Sequence, residues 1–366
     1  MDRVSEIAGQ CIECSLCSQS CPFLSELECS PKRLAEQGGA AEIAFSCALC
    51  GRCEAVCPSG LSPMELFAAG RRLAVGKREF VVEEYRYMLP DRPNHLMNVY
   101  RHYAGIDYCD IEIAGTANTA FFPGCTLMTY APGLTREIYA RLNKTCECGG
   151  LFTACCGKPL ALLGLQQRAD NAVQELVARL RAFHVRELII ACPGCYYYLR
   201  EPLRAAGIVV RTVYEVLAVK VPAAARGRVC TVHDSCPDRF EGIFGSQVRE
   251  MLGNNGFALT EMDNNREMTI CCGSGGMISH FRPDLTKKLV SMRLSEAQKT
   301  KADMLVTYCI SCALKFAAGF ANGPAVEHAL CLLVGRSEDF STAKAGITAM
   351  LEGPQGTEIW KQIMAD

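Results

Sequence analysis

Eighteen of the 24 cysteines in this 366-residue chain fall into two arrangements, each present twice. The first is C-x2-C-x2-C-x3-C-P, at Cys11, Cys14, Cys17, Cys21 and Pro22, then at Cys47, Cys50, Cys53, Cys57 and Pro58. In such runs three closely spaced thiolates bind one iron–sulfur cluster, and the fourth ligates the cluster of the other run. The expected sets are therefore Cys11, Cys14, Cys17 and Cys57 for one [4Fe-4S] cluster, and Cys21, Cys47, Cys50 and Cys53 for the other. Zinc is the poorer match: it takes its thiolates as two separated pairs, whereas each run here packs four within eleven residues and ends in proline.

The second arrangement is a five-cysteine set: Cys125, then Cys155-Cys156-Gly157, then Cys192-Pro193-Gly194-Cys195. It returns as Cys236, Cys271-Cys272-Gly273 and Cys309-Ile310-Ser311-Cys312, with corresponding cysteines 111 to 117 residues apart, which marks an internal duplication. Adjacent cysteines diverge on regular structure, but on a loop followed by glycine they can grip neighbouring irons. A cubane cluster takes four thiolates, so five per copy leaves two options. Either one cysteine is free for chemistry at the cluster, or the cluster is unusual and uses all five.

The elements that must hold these sulfurs can be placed from their ends. In residues 1–76, Ser30-Pro31 caps a short helix that Gly38-Gly39 stops, and Ser62-Pro63-Met64-Glu65 reads as a capping box for a helix running over Leu66 to Val75. Residues 77–118 read as an amphipathic helical arm broken at Pro90 to Pro93, one that packs on the next domain or meets a partner subunit. From Thr119 the rhythm is α/β: strands at Ala120 to Phe122, Glu187 to Ala191, Val229 to Val232 and Met304 to Thr307. Helices are expected over Leu134 to Leu142, Pro159 to Phe183 and Pro283 to Lys299. The predicted fold class is thus α/β, a helical two-cluster domain (1–76) and a connecting arm (77–118) followed by two duplicated α/β domains (119–222, and 223–366 with a C-terminal tail). The cysteines of the duplicated halves fall at strand ends, the edge where open α/β sheets usually hold ligands.

A chain of this size builds ordinary cores without disulfide staples. No secretory pattern is seen at Met1-Asp2-Arg3, so grouped thiols read as metal-binding in a cytoplasmic protein. The longest apolar stretch, Leu188 to Leu199, is short of the roughly 20 residues that cross a bilayer. Peripheral attachment at the inner membrane face through a partner subunit stays open. A net charge of −1 with interspersed signs gives no basic stripe for nucleic acid. No glycine fingerprint for flavin or nicotinamide is present, so electrons must come from another subunit.

Two C-x2-C-x2-C-x3-C-P runs followed by two CCG sets resemble the iron–sulfur subunits of the heterodisulfide-reductase type, the D subunit in particular. The resemblance covers nearly the whole chain. It extends to the iron–sulfur subunits of anaerobic glycerol-3-phosphate dehydrogenase, glycolate oxidase and lactate oxidation systems. It implies two ferredoxin-type cubane clusters and one or two further [4Fe-4S] clusters of noncubane type, at which a disulfide is reduced. Carried over by position, one would lie on Cys125, Cys155, Cys156, Cys192 and Cys195, the other on Cys236, Cys271, Cys272, Cys309 and Cys312, these ten being the catalytic set. Both sets are complete, although the 29 residues between Cys125 and Cys155 are slightly fewer than usual and contain Cys146 and Cys148.

The implied activity is reduction of a small disulfide within a multisubunit complex, supplied with electrons by a flavoprotein or other electron-transfer subunit. A membrane cytochrome or quinone-reactive subunit is a further partner that the resemblance suggests. The alternative is a relay that carries electrons from a hydroxy-acid or glycerol-3-phosphate flavoprotein to quinone or a membrane partner; a redox or metal sensor fits two cubane runs less well. Lys158, after the first CCG, could bind an anionic substrate or raise a cluster potential. His233, Asp234, His280 and Arg282 lie near second-half ligands in sequence, as proton donors or as groups that orient ligands. Cys29, Cys109, Cys146, Cys148, Cys230 and Cys331 read as small apolar packing residues.

Overall fold

The computed structural model describes residues 3–217, 227–319 and 323–365. The expected boundary between the duplicated halves, at residues 222 and 223, lies outside the described residues. Each half is built on a parallel sheet. The first has β1 (Thr119–Phe122), β2 (Glu187–Ile190) and β3 (Val209–Thr212) in the order β1-β2-β3. The second has β4 (Val229–His233), β5 (Ala258–Leu259), β6 (Met304–Thr307) and β7 (Ala325–His328) in the order β5-β4-β6-β7, so it repeats the first plan and adds a two-residue edge strand. Phe121, Phe122, Ile189 and Ile190 are buried on both faces, as expected for parallel strands covered by helices.

The two sheets share one continuous apolar core. Phe244 of the second half packs edge-on against Tyr196 of the first at 5.3 Å and stacks on Tyr308 of its own half at 6.1 Å. The ferredoxin-like unit docks on the second half: Phe23, Leu24 and Phe67 share a core with Ile270, Ile278, Leu285 and Leu289. Arg71 then ties all three parts together. It is 1% exposed and donates to the carbonyls of Ala44 (3.1 Å) and Cys47 (2.7 Å) in its own unit, Leu162 (2.6 Å) in the first half and Gly276 (2.7 Å) in the second.

Several local expectations meet the structure directly. Ser30 caps the helix Pro31–Glu36 by accepting from the Arg33 amide at 3.3 Å, and the helix Pro283–Lys299 has the bounds read from sequence. Others are corrected. The helix Met64–Gly76 begins without the Ser62 side-chain cap; Ser62 Oγ is buried and has no partner among the described residues, because the Glu65 amide bonds the Ser62 carbonyl at 3.0 Å in place of the hydroxyl, while the helical φ of Pro63 pre-sets the start. The single helix expected over Pro159 to Phe183 is two, Lys158–Leu162 and Gln166–Ala182. Gly164 breaks it at φ +84°, where a Cβ would sit 2.6 Å from the Arg71 carbonyl carbon, so tertiary contact and not propensity decides the break. The arm is less helical than read: a 3-10 stretch Val82–Met88 and one helix Leu96–Tyr103. It packs on the first half, where the Tyr108 hydroxyl donates to the Met128 carbonyl at 2.8 Å.

Candidate iron–sulfur centres and an adjoining cleft

The structure brings Cys11, Cys14, Cys17 and Cys57 to the wall of one cavity of about 360 Å³, with Cys29 on the same wall. Cys21, Cys47, Cys50 and Cys53 line a second, almost wholly apolar pocket beneath Phe23 and Phe67. The loops that wrap these pockets turn through left-handed backbone at Glu13, Ser15 and Leu49, and the Leu49 amide points at Cys47 Sγ from 3.3 Å. The fourth cysteine of each run thus faces the first three of the other.

In the first duplicated half, β1 delivers Cys125 to the start of the helix Cys125–Tyr130, and β2 delivers Cys192 to the start of the helix Pro193–Ala205. Cys155 and Cys156 come from the loop before the helix Lys158–Leu162. The thiols meet in sequence: Cys125 with Cys155, Cys155 with Cys156, Cys156 with Cys195, and Cys195 with Cys192. Gly124 permits the closure, since a side chain there would stand 3.0 Å from Cys192 Cβ. Cys146 and Cys148 take no part; their sulfurs turn to the carbonyls of Leu142 and Gly150.

The second half repeats the chain of contacts as Cys236 with Cys271, Cys271 with Cys272, Cys272 with Cys312 (3.1 Å) and Cys312 with Cys309. Here a sixth thiol joins: Cys50 of the ferredoxin-like unit contacts both Cys236 and Cys271. Gly275 allows that approach, because a Cβ on it would lie 2.6 Å from the Ala48 carbonyl oxygen and 3.0 Å from Cys271 Sγ. The two halves also face each other, with Cys192 and Cys195 on one side of a narrow crevice and Cys309 on the other.

Fit to a metal cluster can be judged from the donors. The ten cysteines gather in two groups of five, in which Cys156, Cys195, Cys271, Cys272 and Cys312 are buried and the other five half-buried, and all 24 cysteines are free thiols. Hydrogen bonds from neighbouring thiols hold Cys156 and Cys272 well below the usual thiol range, while the same sharing and burial push Cys155, Cys195, Cys271 and Cys312 well above it. Five thiolates cannot coexist in so little space without a compensating multivalent cation. Soft sulfur donors in this number suit iron–sulfur chemistry. Arg239 adds a fixed positive charge beside Cys50, with Nε donating to the Cys50 carbonyl at 2.8 Å.

Of the four nearby polar residues read from sequence, only His233 reaches the sulfurs: its ring and the Cys272 and Cys312 sulfurs lie within 4.8 Å of one another. Asp234 is held by Arg249, His280 Nδ1 meets the Tyr87 hydroxyl at 2.9 Å, and Arg282 pairs with Asp284 and Glu26. Lys158 stands next to the first set, where its charge favours the Cys156 thiolate. Cys230, Cys331 and Cys148 are fully buried in the core as expected; Cys109 is exposed.

A cleft of about 320 Å³ opens beside Cys125 and Cys155, with Arg101, Arg168 and Arg179 among its walls. Sequence reading missed these arginines, since none belongs to a motif and Arg101 lies on the arm.

Residues 119–200 and 230–317 match the cysteine-rich CCG domain family, and residues 10–62 match the 4Fe-4S dicluster domain. The chain thus carries a 4Fe-4S dicluster domain followed by two CCG domains. It is 27% identical over 299 residues to the D subunit of the dihydromethanophenazine:CoB–CoM heterodisulfide reductase of Methanosarcina acetivorans, covering 73% of this chain and 70% of that one. It is 24% identical over 337 residues to the B subunit of the CoM/CoB fumarate reductase of Methanothermobacter marburgensis, covering 83% and 66%. A shorter match, 26% over 189 residues (47% of this chain, 26% of the relative), links it to the EtfAB:quinone oxidoreductase of Syntrophomonas wolfei. No helix among the described residues is long and apolar enough to cross a membrane.

Proposed function

We propose that this CCG-domain protein is the iron–sulfur subunit of an oxidoreductase complex, in which electrons pass from the ferredoxin-like unit to the CCG halves and reduce a small disulfide. The carrying observation is the contact of Cys50 with both Cys236 and Cys271, which joins the two kinds of cysteine set in one molecule. In this reading Cys11, Cys14, Cys17 and Cys57, and Cys21, Cys47, Cys50 and Cys53, are the ligands of two cubane clusters. Each five-cysteine set holds a further, noncubane cluster.

When bound, these clusters store and pass single electrons, and splitting R–S–S–R′ into two thiols consumes two electrons and two protons. The chain's own residues do the rest. Gly275 and Arg71 hold the Cys47 to Cys50 loop against the second half. The apolar walls around Cys53 and Cys271 keep water out, and the crevice of Cys192, Cys195 and Cys309 brings the halves together. A flavoprotein or other electron-transfer subunit supplies the electrons, and a membrane partner is compatible with the same arrangement.

Anaerobically prepared protein should carry about 16 irons per chain, at four per cluster; a value near 8 would remove the CCG assignment. The activity test is release of thiols from small disulfides by the intact complex with reduced viologen. If no thiol appears, and a hydroxy-acid flavoprotein instead reduces this subunit, the relay reading replaces it.

A further inference from the structure

The cleft beside the first five-cysteine set is built unlike anything at the second. Arg101 reaches it from the arm, donating from Nη1 to Thr129 Oγ1 at 3.1 Å and from Nη2 to Asn98 Oδ1. Among the described residues no carboxylate lies within ion-pair distance of Arg101 or Arg179. Arg101 is largely buried, and burial lowers its pKa, while the nearby Cys125, Tyr108 and Cys155 pull it back up. Arg179 lies over the Phe152 ring at 4.7 Å, which fixes its guanidinium plane. Arg168 is already committed, to Asp91 at 2.7 and 2.8 Å. His95 adds no charge near neutral pH, since burial first and Arg101 second bring it down to about 4.

Against these two cations without a carboxylate partner stands one acidic lining residue without an ion pair, Glu175, so the cleft has room for a small anion and not for a polyanion. Its volume suits a small metabolite. By contrast, the second set is enclosed by Cys50 and Ala48 on one side and by the crevice to the first half on the other.

We infer that this cleft is the substrate entrance: Arg101, assisted by Arg179, holds the carboxylate of a small substrate so that its reacting end meets Cys125 and Cys155. The first half is then the terminal site, and the second half a relay between it and the ferredoxin-like unit. This rests on the proposed function for the identity of the reacting group, a disulfide, but not for the carboxylate anchor. Guanidinium is the fitting partner because its planar fork matches a carboxylate with two parallel bonds.

The test is calorimetric titration of the anaerobic holoprotein with three compounds: 3,3′-dithiodipropionate, the uncharged bis(2-hydroxyethyl) disulfide, and glutarate, which has carboxylates and no S–S bond. The two carboxylates should bind about 10–100-fold more tightly than the neutral disulfide, the value of a charge-assisted hydrogen bond. Arg101→Met should erase that difference, Arg101→Lys should keep part of it, and Arg179→Met should weaken both carboxylates, at unchanged iron content. Binding should perturb the spectroscopic signal that Cys156→Ser removes. Equal affinity for charged and neutral compounds would overturn the inference, as would wild-type glutarate binding in both arginine-to-methionine variants, or a perturbed signal that vanishes in Cys272→Ser instead. Arg101-dependent glutarate binding with no thiol release from any disulfide would uphold the anchor and refute the disulfide reading alone.

Discussion

Arg293 donates its Nε–H to His233 Nδ1 at 2.9 Å, inside a wholly buried pair. A neutral imidazole whose Nδ1 accepts must carry its proton on Nε2. Among the described residues that nitrogen has no oxygen or nitrogen partner, and it shares its surroundings with Cys272 and Cys312. Arg293 is itself anchored by Glu296 at 2.6 Å and by the Asn264 carbonyl at 2.5 Å, so the ring cannot easily turn. The first half has Phe122 at the matching place, three residues before Cys125 as His233 is before Cys236.

A donor aimed at thiolate sulfur stabilises the more negative, reduced state. His233→Phe should therefore lower the potential of the second-half centre by roughly 60 mV, the one-electron equivalent of about 1.4 kcal/mol for one charge-assisted hydrogen bond. Anaerobic redox titration followed by electron paramagnetic resonance would measure it. The first-half signal should stay where it is.

Asp234 should set the acid limit of stability. Burial alone would raise its carboxyl, but the Arg249 fork (2.7 and 2.9 Å) and the Arg266 amide (2.6 Å) override that and hold it below the usual carboxylate range. With the folded value depressed, the stabilisation is complete above the unfolded pKa of about 3.9 and is lost as pH falls through the folded one. Asp234→Asn should cost about 3 kcal/mol at pH 7, leaving Arg249 with an unpaired side, and should flatten the stability profile below about pH 4. Denaturant titrations at several pH values would show both effects.

Widening the junction at Cys50 should slow electron delivery. Gly275→Val places a branched side chain where even a Cβ is too close to Ala48 and Cys271 Sγ. The expected cost is about 1–3 kcal/mol in stability, together with slower reduction of the second-half centre after rapid mixing with reduced viologen. Reduction of the Cys11 to Cys17 centre should keep its rate.

Removing the Arg71 side chain should loosen all three parts at once. Arg71→Met strands four buried carbonyls and should lower stability by at least about 3 kcal/mol. Arg71→Lys should rescue little, because one ammonium cannot reach partners spread over three segments. Chemical denaturation of the holoprotein would give both values, and limited proteolysis would report early release of the ferredoxin-like unit.

What could be read from sequence and what could not divide by the range of the interaction. Strand β6 and the helix Pro283–Lys299 were legible because apolar runs and an opening proline are local signals. The grouping of the sulfurs was legible because cysteine spacing is local too, and the duplication supplied a second copy to check against. The break at Gly164 was hidden, since its cause is the Arg71 backbone, far away in the chain. So were the Cys50 contact and the Arg101 cleft: both arise from the docking of separately folded pieces, and neither Cys50 nor Arg101 carries any mark of its neighbour. Among His233, Asp234, His280 and Arg282, closeness in sequence could not separate the one residue that meets sulfur from the three engaged elsewhere.

The grip of Arg71 on carbonyls from three segments bears on how current can enter the molecule. Some redox proteins ferry charge on a tethered head that swings between donor and acceptor. Here the head is bolted down at its buried end, leaving the Cys14 rim as its outward face. Any travelling must then be done by the visiting donor, and the distances inside stay those set at folding.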